Sequence, residues 1–193
     1  MVKKVICLAV VLGLASTASA LVVTGYQEWG SETQIADLEG GFLTVQGPAG
    51  HALFAARVNQ DGADVTIEMG GLLETQNTYK LPDDNGPSNV YVLDGTWMAH
   101  DVESFGQERD SMMYVGAAGV IELATGLGGG NERYDPYHWL DEGSLVPDPA
   151  LGAGWTIQVE DLGGGAARIT AIPEPATLAL LGLGGLALIR RKR

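Results

Sequence analysis

The chain has 193 residues, a one-domain length once its two ends are set aside, and carries 28 glycines, 11 Lys and Arg, and 24 Asp and Glu. Six of the basic residues sit at the extremities, so residues 21–172 hold 23 acidic side chains against five basic ones, a net charge of −18. That field repels phosphate backbones and so excludes nucleic acid as a partner, while short alternating runs of Val, Ile, Leu and aromatics exclude a disordered acidic tail.

Residues 1–20 open with Lys3 and Lys4, continue as an apolar run from Val5 to Ala15, and end in the small residues Ser16 to Ala20. A basic start, a short apolar run and an Ala-x-Ala site predict a signal peptide, cut after Ala20 or alternatively Ala18 by signal peptidase. An uncleaved anchor is the alternative, but the run is short for a span and ends in small residues. The only cysteine, Cys7, lies inside this segment and too early for a lipobox. The mature protein is therefore expected to lack thiols, disulfides and Cys-ligated metal.

Three central segments, residues 65–75, 89–99 and 113–123, align on Gly71, Gly95 and Gly119, each 24 residues apart. A fainter copy around Gly41 lies 30 residues before Gly71. Apolar residues alternate on both sides of each glycine: Ile67 and Met69, Tyr91 and Leu93, Val115 and Ala117. Period two predicts strands, and a glycine between two strands predicts a tight corner. Repeats of this length point to stacked coils of a short β-solenoid over residues 21–125, with a β-sandwich of irregular hairpins as the alternative. Residues 59–62, 82–86 and 105–110 are turn-rich and predict loops leaving one side of the coil. The positions before the aligned glycines are Thr66, Val90 and Tyr114, which form no threonine ladder.

Candidate chemistry in this region is thin. His100, Asp101 and Glu103 are candidates for an acid–base or metal cluster, but strand neighbours point to opposite faces, which favours reading them as separate polar side chains at the surface. Asp83-Asp84-Asn85-Gly86 lacks the spacing of a calcium loop and reads as a turn. No metal site, cofactor or catalytic residue is expected. Residues 126–150 form a link rich in Gly, Pro and aromatics, whose Tyr134, Tyr137 and Trp139 are candidate contacts for a glycan. Residues 151–171 alternate around Gly163-Gly164-Gly165 and predict a closing hairpin that caps the coil.

Residues 172–193 begin Ile172-Pro173-Glu174-Pro175, continue as 14 uncharged residues over 176–189, and end Arg190-Arg191-Lys192-Arg193. The prolines hold the chain extended and present Glu174 openly. The uncharged stretch predicts a single hydrophobic helix of about 21 Å, short for a hydrocarbon core of about 30 Å. The basic cluster, at about 2.5–3.5 kcal/mol per cation at the bilayer centre, stops translocation and holds that helix in the membrane.

This three-part tail resembles the PEP-CTERM sorting signal of Gram-negative bacteria, also catalogued as an ice-binding-protein C-terminal domain. The resemblance implies that Pro173, Glu174 and Pro175 form the recognition element, that 176–189 is a transient span, and that Arg190, Arg191, Lys192 and Arg193 are the stop. It implies exosortase as the processing partner and an exported protein that passes through the inner membrane to the cell surface or extracellular matrix. Taken together, the sequence predicts an all-β, β-helix-like ectodomain with a C-terminal hairpin and one C-terminal hydrophobic helix. Its expected task is structural or adhesive and not enzymatic. An exopolysaccharide-binding module is the alternative, and a polysaccharide-degrading β-helix enzyme a weaker one.

Overall fold

The structure is a computed structural model, and it describes residues 20–38, 41–60, 62–81, 87–103, 111–125, 127 and 135–175. Residues 1–19 of the segment read as a signal peptide, residues 176–189 read as a membrane helix, and the Asp83–Gly86 turn lie outside these residues. Within them the fold is all-β, a β-solenoid of about four turns.

The strands in chain order are β1 (Leu21–Val23), β2 (Tyr26–Trp29), β3 (Thr33–Gln34), β4 (Phe42–Gln46), β5 (His51–Phe54), β6 (Val58–Asn59), β7 (Asp64–Glu68), β8 (Leu72–Lys80), β9 (Val90–Val92), β10 (Thr96–Glu103), β11 (Met113–Val115), β12 (Val120–Leu123), β13 (Leu145–Pro147), β14 (Trp155–Gly163) and β15 (Ala166–Pro173). One short helix, α1 (Pro136–Asp141), precedes β13. Sheet A stacks β1-β4-β7-β9-β11-β13 in parallel. Sheet B runs β14-β15-β12-β10-β8-β5-β2. The far halves of β8 and β10, with β6 and β3, make a third face; the register shift between Ala99 and Asp101 marks the corner onto it.

The core follows from register. Two columns of sheet A point inward, Leu43-Val65-Val90-Met113-Leu145 and Val23-Val45-Ile67-Val92-Val115, and all of these are buried. From sheet B, Ala52, Leu73, Trp97, Ile121 and Ile169 form one inward column. Each coil thus buries its apolar side chains against the register-equivalent apolar residues above and below, which is how repeats too small to fold alone gain stability. Trp29 stacks on Phe54 at 4.4 Å, and Tyr79 meets Trp97 edge-on at 4.8 Å.

The corner glycines form their own ladder. Sheet B register aligns Gly25, Gly50, Gly71, Gly95 and Gly119 immediately before β2, β5, β8, β10 and β12. A Cβ at Gly50 would overlap the carbonyl oxygens of Gln46 and Val23, at Gly71 that of Val45, and at Gly119 that of Val92. The first repeat was expected to centre on Gly41, and this is corrected: Gly41 precedes β4 with φ 68, and Gly50 holds the corner.

A second correction concerns phase. Sheet B repeats every 24 residues between β8, β10 and β12, but Val65 pairs with Val90 and Val90 with Met113. Ile67 stands five residues before Leu72, whereas its partner Val92 stands four before Thr96, so Val90 and Val92 point inward rather than Tyr91 and Leu93. Met69, read as part of the apolar alternation, is exposed in the turn with φ 54, its N–H bonded to the Asp94 carboxylate. Sheet A also gains a sixth rung at β13, inside the stretch read as a loop.

Polar groups line the corner before sheet A. Gln60 donates from Nε2 to the carbonyls of Ala63 (2.8 Å) and Asn89 (2.7 Å), and Ser88 Oγ donates to Gln60 O at 2.8 Å. Tyr79 Oη donates to Gln60 Oε1 at 2.8 Å from full burial, and that burial pushes its phenol well above the ordinary value near 10. Tyr79→Phe leaves Gln60 Oε1 without its donor and is expected to cost about 1–3 kcal/mol. A raised folded pKa means that Tyr79 contributes fully below about pH 10 and loses that contribution as pH climbs toward the folded value. The stability gap between wild type and Tyr79→Phe, measured by denaturant midpoints at pH 8 and pH 11, should therefore shrink at the higher pH.

Candidate sorting site and exposed faces

The hairpin ends the coil. β15 pairs antiparallel with β12 from Ala167 to Thr170, and β14 covers β15 from Trp155 to Gly163. The parallel ladder stops there, and the new edge carries the exposed charges Glu160 and Asp161, which discourage further pairing. The turn at 163–165 has three glycines with positive φ, as predicted from the glycine run.

The Pro-Glu-Pro stands at the end of this hairpin. Pro173 is the last residue of β15, paired with Trp155. Glu174 N–H donates to Gly154 O at 2.8 Å, and the Glu174 and Pro175 side chains are exposed. Gly154 is placed by the segment before it. Asp148 N–H donates to Val115 O at 2.9 Å, and Asp148 Oδ1 accepts from Ala150 N at 3.0 Å, capping a short 3-10 turn. Residues Arg190, Arg191, Lys192 and Arg193, like Ala18, lie outside the described residues, and Ala20 is the first residue within them. Among the described residues no helix is long and apolar enough to cross a membrane.

The aromatic set proposed for glycan contact does not assemble. Trp139 is 1 % exposed in α1, within the core cluster, so its ring cannot stack on a sugar. Tyr137 is 48 % exposed, with its hydroxyl 3.5 Å from Val159 O, and Tyr134 lies outside the described residues. Asp135 caps α1 by accepting from Tyr137 N at 2.9 Å, with Pro136 in the first turn; this Asp-Pro start was the missed signal for a helix. Tyr91 and Tyr114 stack at 4.9 Å on the outer face of sheet A, so each covers one ring face of the other.

On the outer face of sheet B a shallow hollow of about 410 Å³ is lined by Glu74, Gln76, Met98, His100, Glu122 and Leu162, among others. Its carboxylates are engaged. Glu74 meets His51 Nε2 at 3.0 Å and accepts from Gln76 at 3.0 Å, while Glu122 accepts from Arg168 Nε and Nη2 at 3.0 and 2.9 Å. His100 lines the hollow and Asp101 does not, so the two part at the corner. Among the described residues no group of three His, Cys, Asp or Glu could hold a metal.

A parallel β-solenoid sealed by an antiparallel hairpin, with a Pro-Glu-Pro whose Glu174 and Pro175 stand exposed where the last strand ends, has the form of a domain joined directly to a C-terminal sorting signal. Residues 171–193 match the sequence model of the PEP-CTERM protein-sorting motif, which marks the chain as exported, sorted to the cell surface and processed by an exosortase. No curated protein and no solved structure matches the chain.

Proposed function

We propose that the protein is a non-enzymatic, structural or adhesive component of the surface or extracellular matrix of a Gram-negative cell. The observation that carries this reading is the sorting motif joined without a linker to a rigid solenoid: only Glu174 and Pro175 separate β15 from the apolar stretch. The engaged state of Glu74 and Glu122 supports a non-catalytic role, since a glycosidase needs one carboxyl free to give a proton and another to attack or activate water. Fractionation of cells with and without exosortase tests the reading. The protein should move from the envelope or matrix fraction to the inner membrane when exosortase is removed. An unchanged distribution would count against it. Burial of Trp139 weighs against the exopolysaccharide-binding alternative built on that loop.

A further inference from the structure

The sorting motif and the folded domain share residues. The family match begins at Ala171, and Ala171, Ile172 and Pro173 close β15, opposite Ile157, Thr156 and Trp155 of β14. Ala171 is 5 % exposed, within the core cluster, and Trp155 and Ile157 pack against that same cluster. Pairing runs one residue beyond the strand through the bond from Glu174 N–H to Gly154 O.

Antiparallel pairs alternate between hydrogen-bonded and non-hydrogen-bonded. Since 154/174 is bonded, 156/172 is bonded as well, and the main-chain groups of Ile172 and Glu174 are turned toward β14. The groups of Ala171 and Pro173 are turned to the other edge, past the end of the β12 pairing at Thr170. There Pro173 has no N–H to offer. An enzyme that reads an extended peptide through its backbone, as in β-strand addition, thus finds one edge occupied by β14 and, at Pro173 on the other, no donor.

Resting on the sorting reading above, we infer that the hairpin gates its own sorting: residues 171–174 must unpair from residues 154–157 before exosortase takes up the motif. The paired chain is the waiting form, and the fraction with an open hairpin end sets the processing rate.

A crosslink tests this. Cys7 is the only cysteine, so Ile157→Cys with Ala171→Cys, in a Cys7→Ser background, introduces one possible disulfide. The 157/171 pair is non-hydrogen-bonded, with Cα atoms about 4.5 Å apart, inside the range that a disulfide spans. Full-length chain would be presented to membranes carrying exosortase. The oxidised form is expected to be processed at least about tenfold more slowly than wild type, with reduction restoring the rate. Trp155→Gly, which weakens the pairing without a crosslink, should be processed faster than wild type. Processing of the oxidised form at the wild-type rate would overturn the gate while leaving the sorting reading intact. If wild type itself goes unprocessed, both fall together. Recovery on reduction, with an unchanged circular dichroism spectrum, separates a locked hairpin from a misfolded one.

Discussion

Gly95→Ala should destabilise the ectodomain by about 3 kcal/mol, a large part of the roughly 5–15 kcal/mol that holds a domain folded. The Cβ would lie 2.5 Å from Gly71 O and 2.6 Å from Ile67 Cγ2. Neither neighbour can yield easily. Gly71 O accepts the Thr96 N–H at 2.9 Å, and Ile67 is fully buried in the inward column of sheet A. Gly119→Ala should behave alike, because its Cβ would meet the Val92 carbonyl. Gly25 occupies the same corner one end of the ladder away, where nothing lies within 4 Å, and Gly25→Ala should stay within about 0.5 kcal/mol. Urea midpoints of the three variants measure the difference. Since none of these glycines has a positive φ, the contrast isolates space from backbone preference.

Glu174→Ala should separate sorting from folding. The Glu174 side chain is exposed, and its N–H bond to Gly154 survives substitution, so stability should change by no more than about 0.5 kcal/mol. On the proposal that Pro173, Glu174 and Pro175 are what exosortase reads within the matched segment, processing should be lost, because Glu174 is the charged member of the three. The unprocessed variant should collect in the inner membrane with 176–193 attached. Pro173→Ala is less clean, since Pro173 also ends β15, and a change there alters both the motif and the hairpin end. Immunoblots of fractionated cells, set beside melting curves of the purified ectodomain, read the two effects independently.

The sequence made the coil legible where sequence spacing and spatial register agree. Gly71, Gly95 and Gly119 repeat evenly because the β8, β10 and β12 rungs are the same distance apart along the chain. Gly25 and Gly50 were missed because the early coils differ in length: Tyr26 pairs with His51, but His51 with Leu72. The inward phase of β9 was hidden by a one-residue difference in spacing, five from Ile67 to Leu72 but four from Val92 to Thr96, and such a slip flips every side chain of a strand. β13 was read as loop because it is three residues long and contains Pro147, which a central strand would reject. Here β13 is the outermost rung of sheet A, where a missing N–H is tolerated. The hairpin and the sorting tail were legible because each rests on local chemistry, a glycine turn in one and three unlike features in fixed order in the other. That the two overlap at Ala171 was not, since burial of an alanine methyl has no signature in the sequence.

Intact-mass measurement of the protein recovered from the cell surface or medium bears most directly on the account. Export and sorting predict a mature chain that begins at Leu21, or at Ser19, and has lost the basic cluster at 190–193. A soluble cytosolic chain with residues 1 and 193 both in place would contradict it.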